Sequence, residues 1–311
     1  MTSATVPSTS ATVRVPAKIN LELLVGPRRE DGYHSLSTVY HAVSLFDEVT
    51  VSYADEWGLE VAGPRAEGVP TDSSNLAARA AQRLAQAGGV DEPVHIRIRK
   101  DIPVAGGMAG GSADAAATLV ACDHLWGLGM TREELEELAA DLGSDVPFLL
   151  AGGTAMGSSR GEVLAPVLAR GTYHWVLAIS EGGLSTPAVY AECDRLRRGR
   201  TVTEPRPSPA MMQALRNGDA RALGRALTND LQRASISLMP ELGDILEAGL
   251  EFGALGGIVS GSGPTVAFLV EGNEAALDLA VSLTASGTVR DVRRATGPAH
   301  GAHLVAGPRL D

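Results

Sequence analysis

The chain has 311 residues, of which 44% are hydrophobic, and a formal net charge of −11. This length is sufficient for two domains with cores of their own. The acidic balance argues against a general nucleic-acid binder, which needs a cationic face. With only Cys122 and Cys193, a disulfide framework is excluded as well.

No membrane span or secretory signal is expected. No apolar run approaches the roughly 20 residues of a membrane-crossing helix. The first ten residues are rich in Ser and Thr, without the basic and apolar regions of a signal peptide. We therefore predict a disordered tail over residues 1–11 and a cytoplasmic protein that does not engage a membrane.

The first half of the chain mixes strands with helices. Alternating patterns predict strands over 12–16, 19–25 and 94–100, and a pair of strands within 36–53 that meet near Asp47. Helical periodicity predicts helices over 75–87 and 112–125. A third helix begins after Thr131, with Glu134 completing a capping box, and ends near Gly143. A hairpin follows, reaching Glu162.

The pattern is lost between residues 166 and 171, where we place a domain boundary that separates residues 12–168 from 169–311. The second half predicts strands over 173–180, 256–260, 265–270 and 289–293, and helices that begin near 188, 209, 220, 240 and 273. Because strands and helices do not alternate strictly, the predicted fold class is α+β rather than a doubly wound sheet.

The most informative segment lies between a predicted strand and a predicted helix and is very rich in glycine. Its residues are Pro103, Val104, Ala105, Gly106, Gly107, Met108, Ala109, Gly110, Gly111, Ser112 and Ala113. Clustered glycines let backbone N–H groups converge on one point, and the following helix adds its positive end, so the segment predicts a phosphate cradle. It lacks the Lys-Ser/Thr of a P-loop and the glycine spacing of a Rossmann turn. A flexible linker is the alternative, which the flanking elements disfavour.

Lysine is rare, since Lys18 and Lys100 are the only lysines among 26 cationic residues. A lysine is a compact ammonium, whereas arginine is a wide planar fork. For Lys100, at the end of a predicted strand, we favour the interpretation that the lysine is present by chance and has no specific role. For Lys18 we expect a specific role.

Three dispersed segments together resemble the motifs of the GHMP kinase superfamily, whose members phosphorylate small molecules with ATP. They are Pro16–Leu21, the glycine-rich segment and Gly261–Thr265. The resemblance implies an N-terminal ATP-binding α+β domain, a C-terminal α+β domain with an antiparallel sheet, and an active site in the cleft between them.

Two further segments, Arg29–His34 and Leu142–Phe148, narrow the resemblance. They are similar to the branch that phosphorylates a hydroxyl of a cytidine-diphosphate-linked methylerythritol, on the methylerythritol phosphate route to isoprenoids. The resemblance implies ATP as the phosphate donor, with Mg²⁺, and a small-molecule acceptor.

The resemblance also implies roles for individual residues. Asp145 matches a catalytic base and Lys18 its cationic neighbour, a pairing that keeps a carboxylate ionised and steadies an alkoxide. Ser112 remains available for phosphate or Mg²⁺, whereas Ala113 stands where the family often has a second Ser. The positions matched to the substrate are Asn20, Tyr33, His34, Thr186, Tyr190, Gly261, Ser262 and Gly263, and Asn75 matches a position near adenine.

Plainer roles remain open for several of these residues. Asp145 and Asn75 could serve as helix caps, His34 as an ordinary surface histidine and Tyr190 as a core residue. The Gly261 segment could be a simple hairpin turn. His300 and His303 lack accompanying Cys or carboxylate ligands, so no protein metal site is predicted.

Three alternatives to the leading hypothesis remain. The chain could be another GHMP kinase of the homoserine or mevalonate type, or a nucleotide-binding regulator without catalysis, which the presence of both Lys18 and Asp145 disfavours. A ribosomal-protein-like nucleic-acid module is disfavoured by the charge. The sequence leaves the choice between monomer and homodimer open.

Overall fold

Two sheets organise the computed structural model, which describes residues 9–305. Residues 1–8 of the predicted tail lie outside the described residues, whereas residues 10 and 11 already belong to the first strand. The larger sheet has eight strands and the smaller has four. Within the described residues, no helix combines the length and apolar character that crossing a membrane requires.

Strands and helices are numbered along the chain. The eight strands of the larger sheet are β1 (Ser10–Arg28), β2 (His34–Tyr53), β3 (Gly58–Ala62), β4 (Val94–Arg99), β5 (Thr154–Ser159), β6 (Val163–Pro166), β8 (Thr228–Asn229) and β12 (His303–Val305). The smaller sheet is fully antiparallel, in the order β11-β7-β10-β9, and contains β7 (Tyr173–Ile179), β9 (Gly256–Val259), β10 (Val266–Val270) and β11 (Asp291–Gly297).

The helices cover the faces of these sheets. They are α1 (Leu76–Gly88), α2 (Gly110–Trp126), α3 (Arg132–Leu142), α4 (Val146–Ala151), α5 (Thr186–Leu196), α6 (Pro209–Asn217), α7 (Ala220–Ala226), α8 (Gln232–Leu238), α9 (Glu241–Glu251) and α10 (Asn273–Ala285). The mixture confirms the predicted α+β class.

Two predicted interruptions in the large sheet are wrong. Strand β1 runs through Pro16, because a register shift between Pro16 and Ala17 accommodates the missing N–H. Strand β2 runs through Asp47, since that buried carboxylate accepts hydrogen bonds from Lys100 and from the backbone of Asp101 and Ile102. A satisfied buried carboxylate gives the strand no reason to break.

Other predictions hold well. The capping box of Thr131 and Glu134 is present at the start of α3, and α10 begins at residue 273, as predicted. The short elements β3, β8, β12, α4 and α8 carry too little pattern and were not predicted. The predicted domain boundary falls between β6 and β7, which belong to different sheets, but β8 and β12 return from the second half to the larger sheet, so the boundary stays a prediction.

Candidate active site

The glycine-rich segment forms a tight loop with left-handed backbone angles at three positions. The φ angles are 51° at Ala105, 75° at Gly107 and 59° at Ala109. An alanine in this region is strained, and such strain is commonly retained at functional sites. At Gly107 a side chain is also excluded by space, because an added Cβ would overlap the carbonyl oxygen of Ser260.

The loop leads into the 17-residue helix α2 without a side-chain cap. Ala109 is the N-cap residue, and the first turn contains no acidic residue. The leading N–H groups of α2 therefore point to an open, electropositive position. Nearby, Thr265 Oγ1 is buried without a hydrogen-bond partner in the described residues, and it lies 3.1 Å from where a Cβ on Gly106 would stand. These features fit a phosphate ligand.

The predicted loop residues do not all face this position. Met108 and Ala113 are fully buried in the core, so they can contribute only backbone groups, whereas Val104 is exposed and Ser112 is half-buried. The loop is fastened by its own carbonyls: Met108 accepts from the backbone of Lys18 at 3.2 Å, and Gly107 accepts from the Ser260 hydroxyl at 2.9 Å.

Lys100 packs against the end of the loop at Gly110. The prediction that a lysine occurs at this position by chance is wrong. The Lys100 ammonium is buried and hydrogen-bonds to Asp47 and to Asp114, the latter at 2.7 Å. A Cβ on Gly110 would lie 2.9 Å from this nitrogen, which places the charge under the first residue of α2. Burial opposes the charge, but the two carboxylates outweigh it and raise the pKa of Lys100.

Lys18 lies on β1 and points into the same region. Its Nζ donates to Asn20 Oδ1 at 2.8 Å and lies 3.7 Å from Asp145 Oδ2. Asn20 in turn donates to the Thr38 hydroxyl at 2.8 Å. All of these side chains except Asp145 are buried, so the Lys18 ammonium is held in one place by the sheet.

Asp145 is the residue just before α4, but its side chain makes no capping hydrogen bond. The alternative role as a helix cap is therefore wrong, and the partly exposed carboxylate remains available for chemistry. Tyr40 lies beside it: burial, followed by the charge of Asp145 and a side-chain hydrogen bond to it, raises the pKa of Tyr40 far above the usual value. The phenol stays protonated and donates to Asp145.

Tyr40 was missed by the sequence reasoning, although a signal existed. It is paired with Asn20 across β1 and β2, and it lies two residues after Thr38, which places both on one face of the strand. The Lys18 ammonium lies 5.5 Å from the centre of the Tyr40 ring. Tyr40 thus contacts both members of the Lys18–Asp145 pair.

Three of the residues matched to the substrate, Tyr33, His34 and Tyr190, lie together near the start of β2. The His34 ring stacks on Tyr190, with ring centres 5.2 Å apart, and its Nε2 lies 2.9 Å from Asp194 Oδ1. His34 is 8% exposed, so it is not an ordinary surface histidine. Tyr33 is 58% exposed, with the Arg160 guanidinium 5.4 Å from its ring centre. Tyr33 is therefore the exposed ring of this group, whereas Tyr190 packs on His34.

Thr186 and Ser262 come from distant segments and are joined by a hydrogen bond of 2.8 Å between their hydroxyls. Gly261, with φ at 55°, lies at the centre of the region: a Cβ there would be 3.5 Å from both Lys18 Nζ and Asn20 Oδ1. The Gly261–Gly263 turn therefore lies beside Lys18 and Asn20 and is not a remote hairpin. Asn229, which sequence reasoning missed, holds this turn by donating to the Gly261 carbonyl at 2.7 Å.

Asn75 caps the N-terminus of helix α1. Its side-chain oxygen accepts from Ala77 N at 2.9 Å as the N-cap of α1, and its Nδ2 donates to the Pro70 carbonyl at 2.7 Å. Both ends of the amide are engaged, as the capping alternative predicted. Any contact of Asn75 with adenine would have to use its remaining hydrogen-bonding capacity.

The donor set for a metal ion is sparse. Among residues 9–305, no group of three or more His, Cys, Asp or Glu side chains is arranged to hold a metal. Ser112, the one predicted metal-sharing side chain, lies half-buried in the first turn of α2. This fits Mg²⁺, which keeps several waters and takes most other ligands from phosphate.

Comparison with known proteins agrees with this geometry. The family model described as the GHMP kinases N terminal domain matches residues 75–153, and the one described as GHMP kinases C terminal matches residues 211–288. A protein of Mycolicibacterium smegmatis named 4-diphosphocytidyl-2-C-methyl-D-erythritol kinase is 58% identical, covering 96% of this chain and 94% of its own. A protein of the same name from Thermobifida fusca is also 58% identical, covering 96% and 99%.

Solved structures give the same picture. A crystal structure of 4-(cytidine 5′-diphospho)-2C-methyl-D-erythritol kinase is similar at a TM-score of 0.74 and 34% identity, covering 95% of this chain and 100% of its own. A homoserine kinase from Cytophaga hutchinsonii has a TM-score of 0.71 at 20% identity, covering 97% and 99%. At that identity the second match speaks for the fold alone.

Proposed function

Since the chain belongs to the GHMP kinases, and within them to the 4-diphosphocytidyl-2-C-methyl-D-erythritol kinase family, we propose that it phosphorylates 4-diphosphocytidyl-2-C-methyl-D-erythritol. The γ-phosphate of ATP passes to the 2-hydroxyl, giving the 2-phosphate and ADP, as a step in isoprenoid precursor biosynthesis. One observation supports this most: Lys18, Asp145, the glycine-rich loop and Gly261 come from four distant segments and meet at one position.

The triphosphate binds at the glycine-rich loop in this proposal. The uncapped N–H groups of α2 and the backbone around Gly106 and Gly107 receive its oxygens. The Ser112 hydroxyl, at the start of α2, would help to hold Mg²⁺ against the bound phosphates, and the metal would supply positive charge to the transferring phosphoryl group. The loop supplies the positioning and charge stabilisation on which phosphoryl transfer mainly depends.

Asp145 accepts the proton of the attacking hydroxyl. Lys18, 3.7 Å from that carboxylate, stabilises the negative charge on the acid and on the incoming oxygen. The Tyr40 phenol also donates a hydrogen bond to this carboxylate. An arginine at position 18 would not fit, because the ammonium lies between Asn20, Asp145 and the Tyr40 ring.

The cytidine end binds at the start of β2 and α5. The exposed face of Tyr33 receives the base, while the His34 and Tyr190 pair forms the adjoining wall. Asn20, Thr186 and Ser262 line the path from the base to the reacting hydroxyl. We place the enzyme in the cytoplasm, as a monomer or homodimer.

An ATP-consumption assay across a panel of alcohols tests the proposal. With the cytidylyl methylerythritol we expect ATP-dependent turnover and a product that carries one additional phosphate, whereas homoserine and mevalonate give only background. Faster turnover of homoserine or mevalonate would assign the chain to another GHMP activity. Absence of turnover with every alcohol, while ATP still binds, would favour a nucleotide-binding regulator.

A further inference from the structure

A cavity of about 910 Å³ lies beside the end of α5, and the residues proposed for catalysis do not line it. Its walls come from β1, from the segment 200–206 that follows α5, and from the chain around β8 and the start of α8. A volume of this size is typical of small-molecule sites. The cavity is therefore large enough for a ligand of its own.

The charge of its walls is opposite to that of the whole chain. The chain has 26 cationic residues against 37 acidic ones. The cavity is lined by four arginines against two carboxylates, namely Arg197, Arg200, Arg206 and Arg233 against Glu204 and Asp230. A local cationic surface on an acidic protein favours a small anion over a nucleic acid.

One of these charge pairs is internal. Arg197 donates to Asp230 Oδ2 at 2.8 Å and to the Val25 carbonyl at 2.7 Å. Asp230 also accepts from Val25 N at 2.9 Å. Arg197 and Asp230 are thus occupied in fastening α5 to β1, and they leave the other three arginines facing a single carboxylate, Glu204.

Those three arginines have no side-chain hydrogen bond or ion pair within residues 9–305. Arg200 and Arg206 lie on the segment after α5, and Arg233 lies on α8, so they approach the cavity from two sides. Guanidinium groups present a fork that matches phosphate oxygens. Hydroxyls of Thr201 and Thr203 line the same wall and offer further donors.

The segment that covers the cavity is fixed at its far end. Glu22 on β1 accepts from Ser208 N at 3.1 Å, and Gly26 makes room for Pro205, since a Cβ there would lie 2.7 Å from the proline Cδ. A wall held in this way keeps its arginines near the cavity before any ligand arrives. Preformed sites lose less free energy to ordering on binding.

We propose that this cavity binds a small multivalent anion of the diphosphate class, held by Arg200, Arg206 and Arg233. The site is separate from the glycine-rich loop and can be filled while a nucleotide occupies that loop. Asn229 is a shared element, because it lines the cavity and holds the Gly261 carbonyl of the active-site turn.

Isothermal titration with inorganic pyrophosphate tests the proposal. The full chain is first saturated with a non-hydrolysable ATP analogue, with Mg²⁺ held equal to the nucleotide, so that the loop is filled. We expect pyrophosphate to bind with a stoichiometry of one. Its affinity should fall as chloride is added, since salt screens exposed charge.

A matched pair of triple variants locates the binding. Arg200→Gln, Arg206→Gln and Arg233→Gln together should weaken pyrophosphate binding at least about tenfold, because each removes a charge-assisted contact. Arg170→Gln, Arg216→Gln and Arg225→Gln together remove the same charge from exposed residues that do not line this cavity, and they should leave binding within about twofold. Circular dichroism and thermal unfolding check both folds, and the three single variants replace the triple if it does not fold.

The proposal is overturned if pyrophosphate at millimolar concentration does not bind the nucleotide-filled protein. It is equally overturned if both triple variants bind as tightly as the parent, or if both lose binding to the same extent. The last result would reflect the overall field of the protein and not a site in this cavity.

Discussion

The Lys18 ammonium lies 3.7 Å from the Asp145 carboxylate, although one residue lies on β1 and the other just before α4. Lys18 donates a hydrogen bond to Asn20, which fixes the position of its ammonium. The Asp145 side chain makes no capping hydrogen bond to its helix, so its carboxylate can bind other groups. The pair is next to Gly261 and the glycine-rich loop. A carboxylate and an ammonium this close are suited to taking a proton from an alcohol and stabilising the charge that forms.

Replacing Asp145 by Asn should abolish turnover and leave ATP binding within a few-fold. The amide keeps the shape of the side chain but cannot accept the hydroxyl proton, and loss of a general base commonly costs about 10²–10⁴-fold. Steady-state kinetics and nucleotide titration measure the two effects. Asp141→Asn, on the exposed face of α3, is the control and should retain activity; unchanged turnover in Asp145→Asn would remove this residue from the mechanism.

Replacing Gly107 by Ala should weaken ATP binding by the loop more than the strain of a positive φ alone would. Gly107 has φ of 75°, and an added Cβ would overlap the Ser260 carbonyl. Gly68 provides the matched control, since its φ is 76° but nothing lies within 4 Å of an added Cβ. Both alanines carry the left-handed strain of roughly 1–2 kcal/mol, so the difference between them reports the clash.

The measurements for this pair are the KM for ATP and the midpoint of thermal unfolding. We expect Gly107→Ala to raise the KM at least about tenfold, because the clash displaces the backbone N–H groups that are proposed to bind the phosphates. Gly68→Ala should leave the KM unchanged. Equal effects of the two alanines would mean that the loop is loose enough to absorb the side chain.

Much of this site could be predicted from the sequence because its residues occur in dense local patterns. The glycine-rich loop and the cap of α3 are encoded within a few neighbouring residues. The role expected for Lys18 came from the family resemblance, because Lys100 is just as rare. The wrong or missing predictions concern residues whose partners are remote in the sequence and close only in the fold. The sequence around Lys100 does not reveal that its ammonium binds Asp47 and Asp114. The same contact satisfies the Asp47 carboxylate, so the strand continues where a break was expected. Tyr40 and Asn229 act through partners on other strands and turns.

Replacing His34 by Ala should raise the KM for the cytidylyl substrate more than it lowers the maximal rate. His34 stacks on Tyr190 and contacts Asp194 at 2.9 Å, but the structure gives it no contact with Lys18 or Asp145. Its loss therefore removes binding that is the same in the ground and transition states. Equal losses in both parameters would instead argue for a catalytic histidine. Exposed His124→Ala is the control.

A second histidine, His41, controls how stability changes with pH. It is fully buried on β2, its Nδ1 lies 2.8 Å from the Thr154 hydroxyl, and its Nε2 has no partner within the described residues. Burial lowers the pKa of His41 to about 3, from an ordinary value of 6.5. The unfolded chain takes up a proton near pH 6.5, whereas the folded chain does not until about pH 3.

His41 therefore stabilises the fold fully above pH 6.5, and this stability is lost as the pH falls towards 3. Between pH 7.5 and 5 the loss from this group is about 2 kcal/mol. His41→Asn keeps an acceptor or donor for Thr154 but cannot titrate. Urea unfolding at a series of pH values should give a free energy of unfolding that falls about 2 kcal/mol less over this range in His41→Asn than in the parent. Exposed His124→Asn should leave the slope unchanged. Parallel curves for His41→Asn and the parent would contradict the prediction, because they would show that folding does not change the proton affinity of His41.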